Sequence, residues 1–298
     1  MGSSMEDIKE LRSRTSAGVM DCKKALAEND GDVEAAVEYL REKGMSEADN
    51  KAGRVAAEGK VNVVITDDHS KGLVVEVNSE TDFVAKNELF QELVEDISEH
   101  IMQSSAEELE ELLNEGWYQD QNKDVDTVIR EAIAEIGENI NLRRFQRFST
   151  DGYLQGYIHL NGKIGVLVDL TTEDVEDKMR VIKDLAMHIA ASSPEYISRD
   201  EVDEEAINKE KKIYREQMLN EGKPEHIIDN IVEGKMDKFY TQVCLLEQPF
   251  VRDEDITIAE LLEENDIQVN DFARFELGEG IEVEEEDFAK EVAEEMDR

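Results

Sequence analysis

Gly72-Leu73-Val74-Val75-Glu76-Val77 and Gly165-Val166-Leu167-Val168-Asp169-Leu170 are one strand written twice, 93 residues apart. The segment before each copy repeats at the same offset. Glu58-Gly59-Lys60-Val61-Asn62-Val63-Val64-Ile65 lines up with Asp151-Gly152-Tyr153-Leu154-Gln155-Gly156-Tyr157-Ile158. In the first copy, residues 60–66 and 72–78 alternate or run β-branched around a polar turn at 67–70, the pattern of a β-hairpin. Further on, Asp96-Ile97-Ser98-Glu99-His100-Ile101 matches Asp184-Leu185-Ala186-Met187-His188-Ile189, now at an offset of 88. The chain therefore carries two copies of hairpin plus helix. The first copy holds five extra residues between strand and helix, within 78–87. What the copies share is what the fold needs. The extra segment, Ser79-Glu80-Thr81-Asp82-Phe83-Val84-Ala85-Lys86, is where function would be added.

Outward from this repeat, residues 5–44 read as three short helices. Ile8 and Leu11 sit at helical spacing, Thr15-Ser16-Ala17-Gly18 breaks the pattern, and Met20 to Leu26 resumes it. Val33, Ala36, Val37 and Leu40 form an apolar stripe that Gly44 closes. So small a unit serves best as a docking module. Residues 45–59 read as a linker or loose helix. After the insertion a long helix carries Phe90, Val94, Ile97 and Ile101 on one face, and a second covers roughly 126–140. Residues 200–242 are helical with a break at Glu221-Gly222-Lys223-Pro224, where Pro224 suits a first helical turn. Ile227, Ile228, Ile231, Val232 and Phe239 face one way, so two antiparallel helices would project as a hairpin. Residues 242–251 look strand-like. Thr257-Ile258-Ala259-Glu260 is a capping box opening a short helix, and 271–277 reads as a strand. Phe288, Val292 and Met296 mark an acidic amphipathic helix at the end.

The expected fold class is α+β. The expected domains are a three-helix head at 1–45, a linker at 46–58 and a first core subdomain at 59–148. The second core subdomain is built from 149–198 and 242–280, with the helical hairpin inserted at 199–241. The terminal helix occupies 281–298. Each core subdomain carries a small antiparallel sheet.

Composition limits the partners. The 298 residues include 33 Lys and Arg against 74 Asp and Glu, a formal net charge of −41. With 40% hydrophobic residues the chain still has a core to bury, so it is no disordered acidic tail. Such acidity makes a poor ligand for nucleic acid or an anionic membrane, since phosphate contacts need clustered Lys and Arg. No apolar run is long enough to span a bilayer, and the first residues lack a signal-peptide core. Met1-Gly2-Ser3-Ser4 ahead of Met5 reads as a residual tag. Cys22 and Cys244 suit a reducing cytoplasm and have no metal-site spacing. The charge repels itself at low salt and is screened at high salt, which suggests a concentrated-salt interior.

No enzyme motif is present: no phosphate-binding Gly-rich loop and no nucleophile elbow. His69, His100, His159, His188 and His226 form no pair with a plausible metal partner. No cofactor is expected. His100 and His188 occupy equivalent repeat positions, which favours a structural role on a helix face. The insertion has two readings. Structurally, Ser79-Glu80-Thr81-Asp82 is itself a capping box, with Asp82 bonding back to the cap, and Phe83 extends the stripe of Phe90. Functionally, a rigid helix start presents an acid and an aromatic anchor to a partner.

Several motifs together are similar to one family. Val75-Glu76-Val77-Asn78-Ser79-Glu80-Thr81-Asp82-Phe83-Val84-Ala85-Lys86-Asn87 resembles the signature of bacterial elongation factor Ts. So does Leu11-Arg12-Ser13-Arg14-Thr15-Ser16-Ala17-Gly18-Val19-Met20-Asp21-Cys22-Lys23-Lys24-Ala25-Leu26. Ile136-Gly137-Glu138-Asn139-Ile140, Ala186-Met187-His188-Ile189-Ala190-Ala191 and Phe275-Glu276-Leu277-Gly278-Glu279-Gly280-Ile281 follow in family order. The resemblance covers essentially the whole chain. It implies a ubiquitin-associated-like head, a core of two repeated subdomains, a helical hairpin and a C-terminal helix. It implies guanine nucleotide exchange on elongation factor Tu, without covalent chemistry by this chain. By resemblance Phe83 would wedge beside the partner's nucleotide site, and Thr81, Asp82 and Val84 belong to the same segment that displaces the partner's Mg²⁺. Lys23, Ile136, Gly137, His159 and Val251 match partner contacts. Arg252 stands where the family often has an apolar residue, Ser79 where it often has cysteine, and Ser16 where it often has glycine. The partner would be the GDP-bound and then nucleotide-free GTPase, with no nucleic acid or membrane, and the hairpin is a candidate homodimer surface. A non-catalytic interaction or chaperone-like protein is the alternative, and an acid–base hydrolase the weakest reading.

Overall fold

The computed structural model describes residues 4–15 and 17–282. Of the C-terminal helix expected at 281–298, residues 283–298, including Phe288, Val292 and Met296, lie outside the described residues, as does Ser16. The chain is α+β. Its described residues divide into two compact units, one built from those within 4–60, 75–144 and 276–282, the other from 61–74 and 145–275.

In the first unit, α1 (Met5–Thr15), α2 (Val19–Glu28) and α3 (Val33–Lys51) form the head. Ile8, Leu11, Cys22, Ala25, Leu26, Ala36 and Leu40 make its core. Asp32 caps α3, accepting from the N–H groups of Glu34 and Ala35. The helix does not close at Gly44 but runs on to Lys51, so the stretch read as a linker or loose helix is helical that far. The reason is packing. A Cβ on Gly44 would lie 3.0 Å from the Cβ of Ala134, on α7 (Val125–Ile136). The glycine permits close approach of two helices and is not a cap. Arg41–Glu131 and Arg130–Asp49 ion pairs flank that approach at 3.3 and 2.9 Å.

The hairpin strands are β1 (Glu58–Ile65) and β2 (Lys71–Ser79). After β2 come a one-turn helix, α4 (Asp82–Ala85), and the long α5 (Glu88–Gln103), which buries Phe90, Val94, Ile97 and Ile101 as its periodicity predicts. Then follow α6 (Leu109–Leu113), a two-stranded ribbon of β3 (Gly116–Trp117) and β4 (Asp120–Asp124), α7, and β5 (Ile140–Ser149). The helix expected to reach 140 stops at Ile136, because Gly137 takes a left-handed conformation with φ +93° and ends it. Strand β5 begins where that helix was expected to end.

The second unit carries β6 (Tyr153–His159), β7 (Ile164–Thr172) and α8 (Val175–Ser192). Helices α9 (Glu204–Asn220) and α10 (Glu225–Val243) pair through Met218, Ile228, Val232 and Met236. Pro224 caps α10 from just outside its first turn. The expected strand at 242–251 shrinks to β8 (Pro249–Phe250), since α10 runs to Val243 and Leu245–Glu247 is a 3-10 turn. Strand β9 (Asp253–Thr257), helix α11 (Ile258–Glu264) and β10 (Ile267–Glu276) complete the unit. The Thr257–Glu260 capping box is present in full. Val166, Val168, Leu170, Ile182, Leu185, Ile189 and Leu245 lead this unit's core.

The repeat extends further than the sequence shows. The two three-stranded sheets have orders β1-β2-β5 and β10-β7-β6, so each hairpin gains a later strand beside its second strand. A short ribbon, a capped helix and a ten-residue strand close both copies. His100 and His188 are both buried, at 3% and 0% exposure. Nδ1 of His100 accepts from the Tyr118 N–H at 3.3 Å, and Nδ1 of His188 from the Val251 N–H at 3.2 Å. Each imidazole pins the ribbon of its own copy, with Trp117 or Phe250 beside the ring. Both cysteines are free and buried, and burial pushes the Cys244 thiol up to about 11. Among the described residues, no helix is long and apolar enough to cross a membrane.

Candidate functional site

Ser79-Glu80-Thr81-Asp82 does not form the capping box its spacing suggests. Thr81 is the N-cap of α4, and its hydroxyl accepts from the Val84 N–H at 3.4 Å. Ser79 donates its hydroxyl to the Thr81 carbonyl, and Asp82 pairs with Lys86 Nζ at 2.6 Å. The carboxylate that serves Thr81 comes from Glu138, 57 positions along the chain. Its Oε2 accepts from the Thr81 N–H at 2.9 Å and its Oε1 from the Thr81 hydroxyl at 2.8 Å. A second link runs the other way. The Asn139 N–H donates to Glu80 Oε1 at 2.6 Å, and Arg54 approaches the same oxygen at 3.5 Å. Asn139 is buried and donates its side-chain amide to the Arg54 carbonyl at 2.7 Å.

Held this way, α4 buries Val84 and exposes Phe83. Phe83 is 80% exposed, the most exposed of the large apolar residues described. It does not continue the stripe of Phe90, because Lys86 and Asn87 separate the two helices and Asn87 caps α5 afresh. Leaving a phenylalanine in water forgoes about 2 kcal/mol of burial. A capped, doubly tethered turn holds this aromatic ring out in solvent, and aromatic rings are the side chains that most often anchor interfaces. The Lys86 ammonium lies 5.9 Å from the ring centroid.

The predicted residues Thr81, Asp82, Phe83 and Val84 thus form one element. The 136–139 segment meets it through Glu138 and Asn139. Ile136 ends α7 half-buried, and Gly137 is exposed at the turn beyond it. Lys23 is exposed on α2. Val19 and Met20 on the same helix are 49% and 74% exposed. His159 and Val251 lie in the second unit. The Tyr157 hydroxyl meets His159 Nδ1 at 2.9 Å, and exposed Leu160 follows it in a left-handed turn. Val251 is half-exposed beside Arg252, whose guanidinium pairs with Asp184 at 3.0 Å. Glu138 was part of a motif legible in the sequence, but no local signal assigns it to Thr81.

Comparison with known proteins points to a family. The profile described as Elongation factor TS matches residues 80–279. An elongation factor Ts from Halothermothrix orenii is 67% identical over 298 residues, the whole of both chains. One from Clostridium novyi is 48% identical over 98% of each chain. Another from Aquifex aeolicus is 46% identical, covering 93% of this chain and 99% of its own. Matched from end to end by these relatives, the chain belongs to the elongation factor Ts family of translation elongation factors.

Proposed function

We propose that the chain binds elongation factor Tu in its GDP form and promotes GDP release, acting as a guanine nucleotide exchange factor with no covalent chemistry of its own. The observation that carries this reading is the 80% exposed Phe83 on a tethered one-turn helix. The ring enters a pocket beside the partner's nucleotide, with Thr81, Asp82 and Val84 fixing its approach. The GTPase then loses the Mg²⁺ that bridges protein and phosphate, and with it much of the electrostatic hold on GDP. Energetically this is linkage. The factor weakens GDP binding by the same ratio that GDP weakens binding of the factor. Contacts at Lys23, Ile136, Gly137, His159 and Val251 supply binding energy that offsets the lost metal contacts.

These events take place in the cytoplasm. The net charge of −41 is a solvation property laid over the contact residues, which are largely apolar or basic. If the GTPase is also acidic, association strengthens as KCl shortens the Debye length from about 10 Å at 0.1 M to about 3 Å at 1 M. The test is release of labelled GDP from elongation factor Tu of the same organism. The chain is expected to accelerate release, and Phe83→Ala to slow it by about thirtyfold, an anchor's worth of about 2 kcal/mol. Unchanged release with the wild-type chain at matched salt would refute the reading.

A further inference from the structure

We infer that Glu138 is the positioning residue for Phe83, setting the start of α4 through Thr81. The inference deepens the exchange reading above and rests on it for its kinetic readout. A helix of one turn has no stability of its own, because nucleation fixes several dihedrals for a single hydrogen bond. The direction of Phe83 must therefore come from outside α4. Thr81 is the point of control. Its hydroxyl has one proton and two lone pairs. With the proton committed to Glu138 Oε1, a lone pair is left facing the Val84 N–H. Without the carboxylate the hydroxyl is free to rotate and donate elsewhere, and the Val84 N–H loses its acceptor.

The second carboxylate oxygen takes the Thr81 N–H, so one side chain grips both polar groups that precede the turn. Such charge-assisted pairs are stronger than neutral ones and fix orientation as well. The Glu80–Asn139 bond lies beside this pair and runs in the opposite sense, so residues 80–81 and 138–139 are joined by reciprocal rungs. Glu138 is itself fixed. Gly137 ends α7 at φ +93°, and Val125, Ile129 and Ile133 anchor that helix in the core. A chain of contacts thus runs from buried α7 through Glu138 and Thr81 to the exposed ring.

The experiment uses the full chain with four variants: Glu138→Ala, Glu138→Gln, Phe83→Ala and the double change of Glu138→Ala with Phe83→Ala. GDP release from elongation factor Tu is followed across factor concentrations. Glu138→Ala is expected to lower the saturating rate about tenfold while moving the half-saturating concentration less than about threefold. Glu138→Gln should recover part of the rate, since its single carbonyl oxygen still accepts from Thr81. On the Phe83→Ala background, Glu138→Ala should add nothing, because a positioning residue has no ring left to position. A wild-type rate in Glu138→Ala, an effect on half-saturation alone, or two losses that multiply would overturn the inference. If Glu138→Ala does not fold, Glu138→Gln on the two backgrounds is read by the same criteria. Hydrogen exchange at the Val84 amide of the free protein separates this inference from the function itself. Faster exchange in Glu138→Ala supports the clamp even if wild-type chain fails to release GDP, and unchanged exchange overturns it.

Discussion

Within the shared hairpin-plus-helix part, the two copies of the repeat differ where strand gives way to helix. In the second copy, β7 ends at Thr172, one left-handed residue (Asp174, φ 53°) turns the chain, and α8 begins without a side-chain cap. Thr172 donates to the Asp266 carbonyl and accepts from Lys178, so the junction closes on its own neighbourhood. In the first copy the same step takes five more residues, a separate helix, two fresh caps and two carboxylate tethers. The shorter junction suffices for a stable strand–helix unit. The longer one adds an exposed aromatic ring that stability alone would not favour. The difference between the copies therefore isolates the segment that exposes Phe83.

The sharpest way to break this comparison is to erase it. Replacing residues 80–87 by Glu-Asp-Val, the second copy's junction, should abolish accelerated GDP release, a loss of about a hundredfold or more. Cooperative unfolding should survive, at a cost of about 1–3 kcal/mol for the partners left behind by Glu80 and Thr81. A chain that no longer unfolds cooperatively would mean the insertion is part of the core.

A second test concerns what holds the end of β2. Glu76 is fully buried between Arg143 and Arg144, at 2.9 and 2.6 Å, and accepts from the Gly278 N–H. Burial pushes its carboxyl up, but the Gly278 N–H, Arg143, Arg144 and Asn78 outweigh this and hold it below its ordinary 4.5. A depressed carboxyl contributes stability that is complete above the unfolded value and is lost as pH falls through the folded one. Glu76→Gln should therefore cost about 2 kcal/mol at pH 7, and the gap to wild type should close below about pH 4.5. Urea melts at pH 7, 5, 4 and 3 measure it. A gap that persists at pH 3 would show that the network acts by packing.

Thr81→Ala should cost about 1 kcal/mol, the ordinary worth of an N-cap, and slow exchange more than it lowers the melting point. Equal losses in both would make α4 an ordinary element of the fold. The smallest effect belongs to the shared histidines. Burial lowers the imidazole pKa of both His100 and His188 from the usual 6.5, with Gln248 partly opposing this at His188 and Glu115 at His100. Their neutral forms contribute stability above pH 6.5 that is lost as pH falls through the folded values. NMR titration should find both rings titrating below the ordinary 6.5, which one ring protonating at its free value would contradict.

Much of this was legible in the sequence. Strong period-two strands and the long amphipathic α5 announced themselves, and so did the box at Thr257, because their determinants lie within a few residues. Phe83 was ambiguous for the same reason: seven residues before Phe90, it fits a stripe that a single new cap at Asn87 interrupts. The clamp from Glu138 was invisible because its partner lies 57 residues away. The rear half of the repeat was hidden too. Two-residue strands leave little pattern, and Trp117 and Phe250 fill equivalent places with different side chains. Gly44 misled because glycine at a helix end and glycine at a helix crossing look alike in one dimension.

That crossing bears on how the molecule can be taken apart genetically. Helix α3 belongs to the head by sequence and to α7 by packing, through Gly44 against Ala134 and the Arg41 and Arg130 ion pairs. Helix α7 in turn ends at Gly137 and Glu138. A truncation that discards residues 1–51 removes Lys23, and it also uncovers the helix from which Thr81 is held. Lost exchange in such a deletion would be no measure of what the head touches. Single changes at Lys23 or Met20 leave α7 covered, and they are the cuts that separate contact from support.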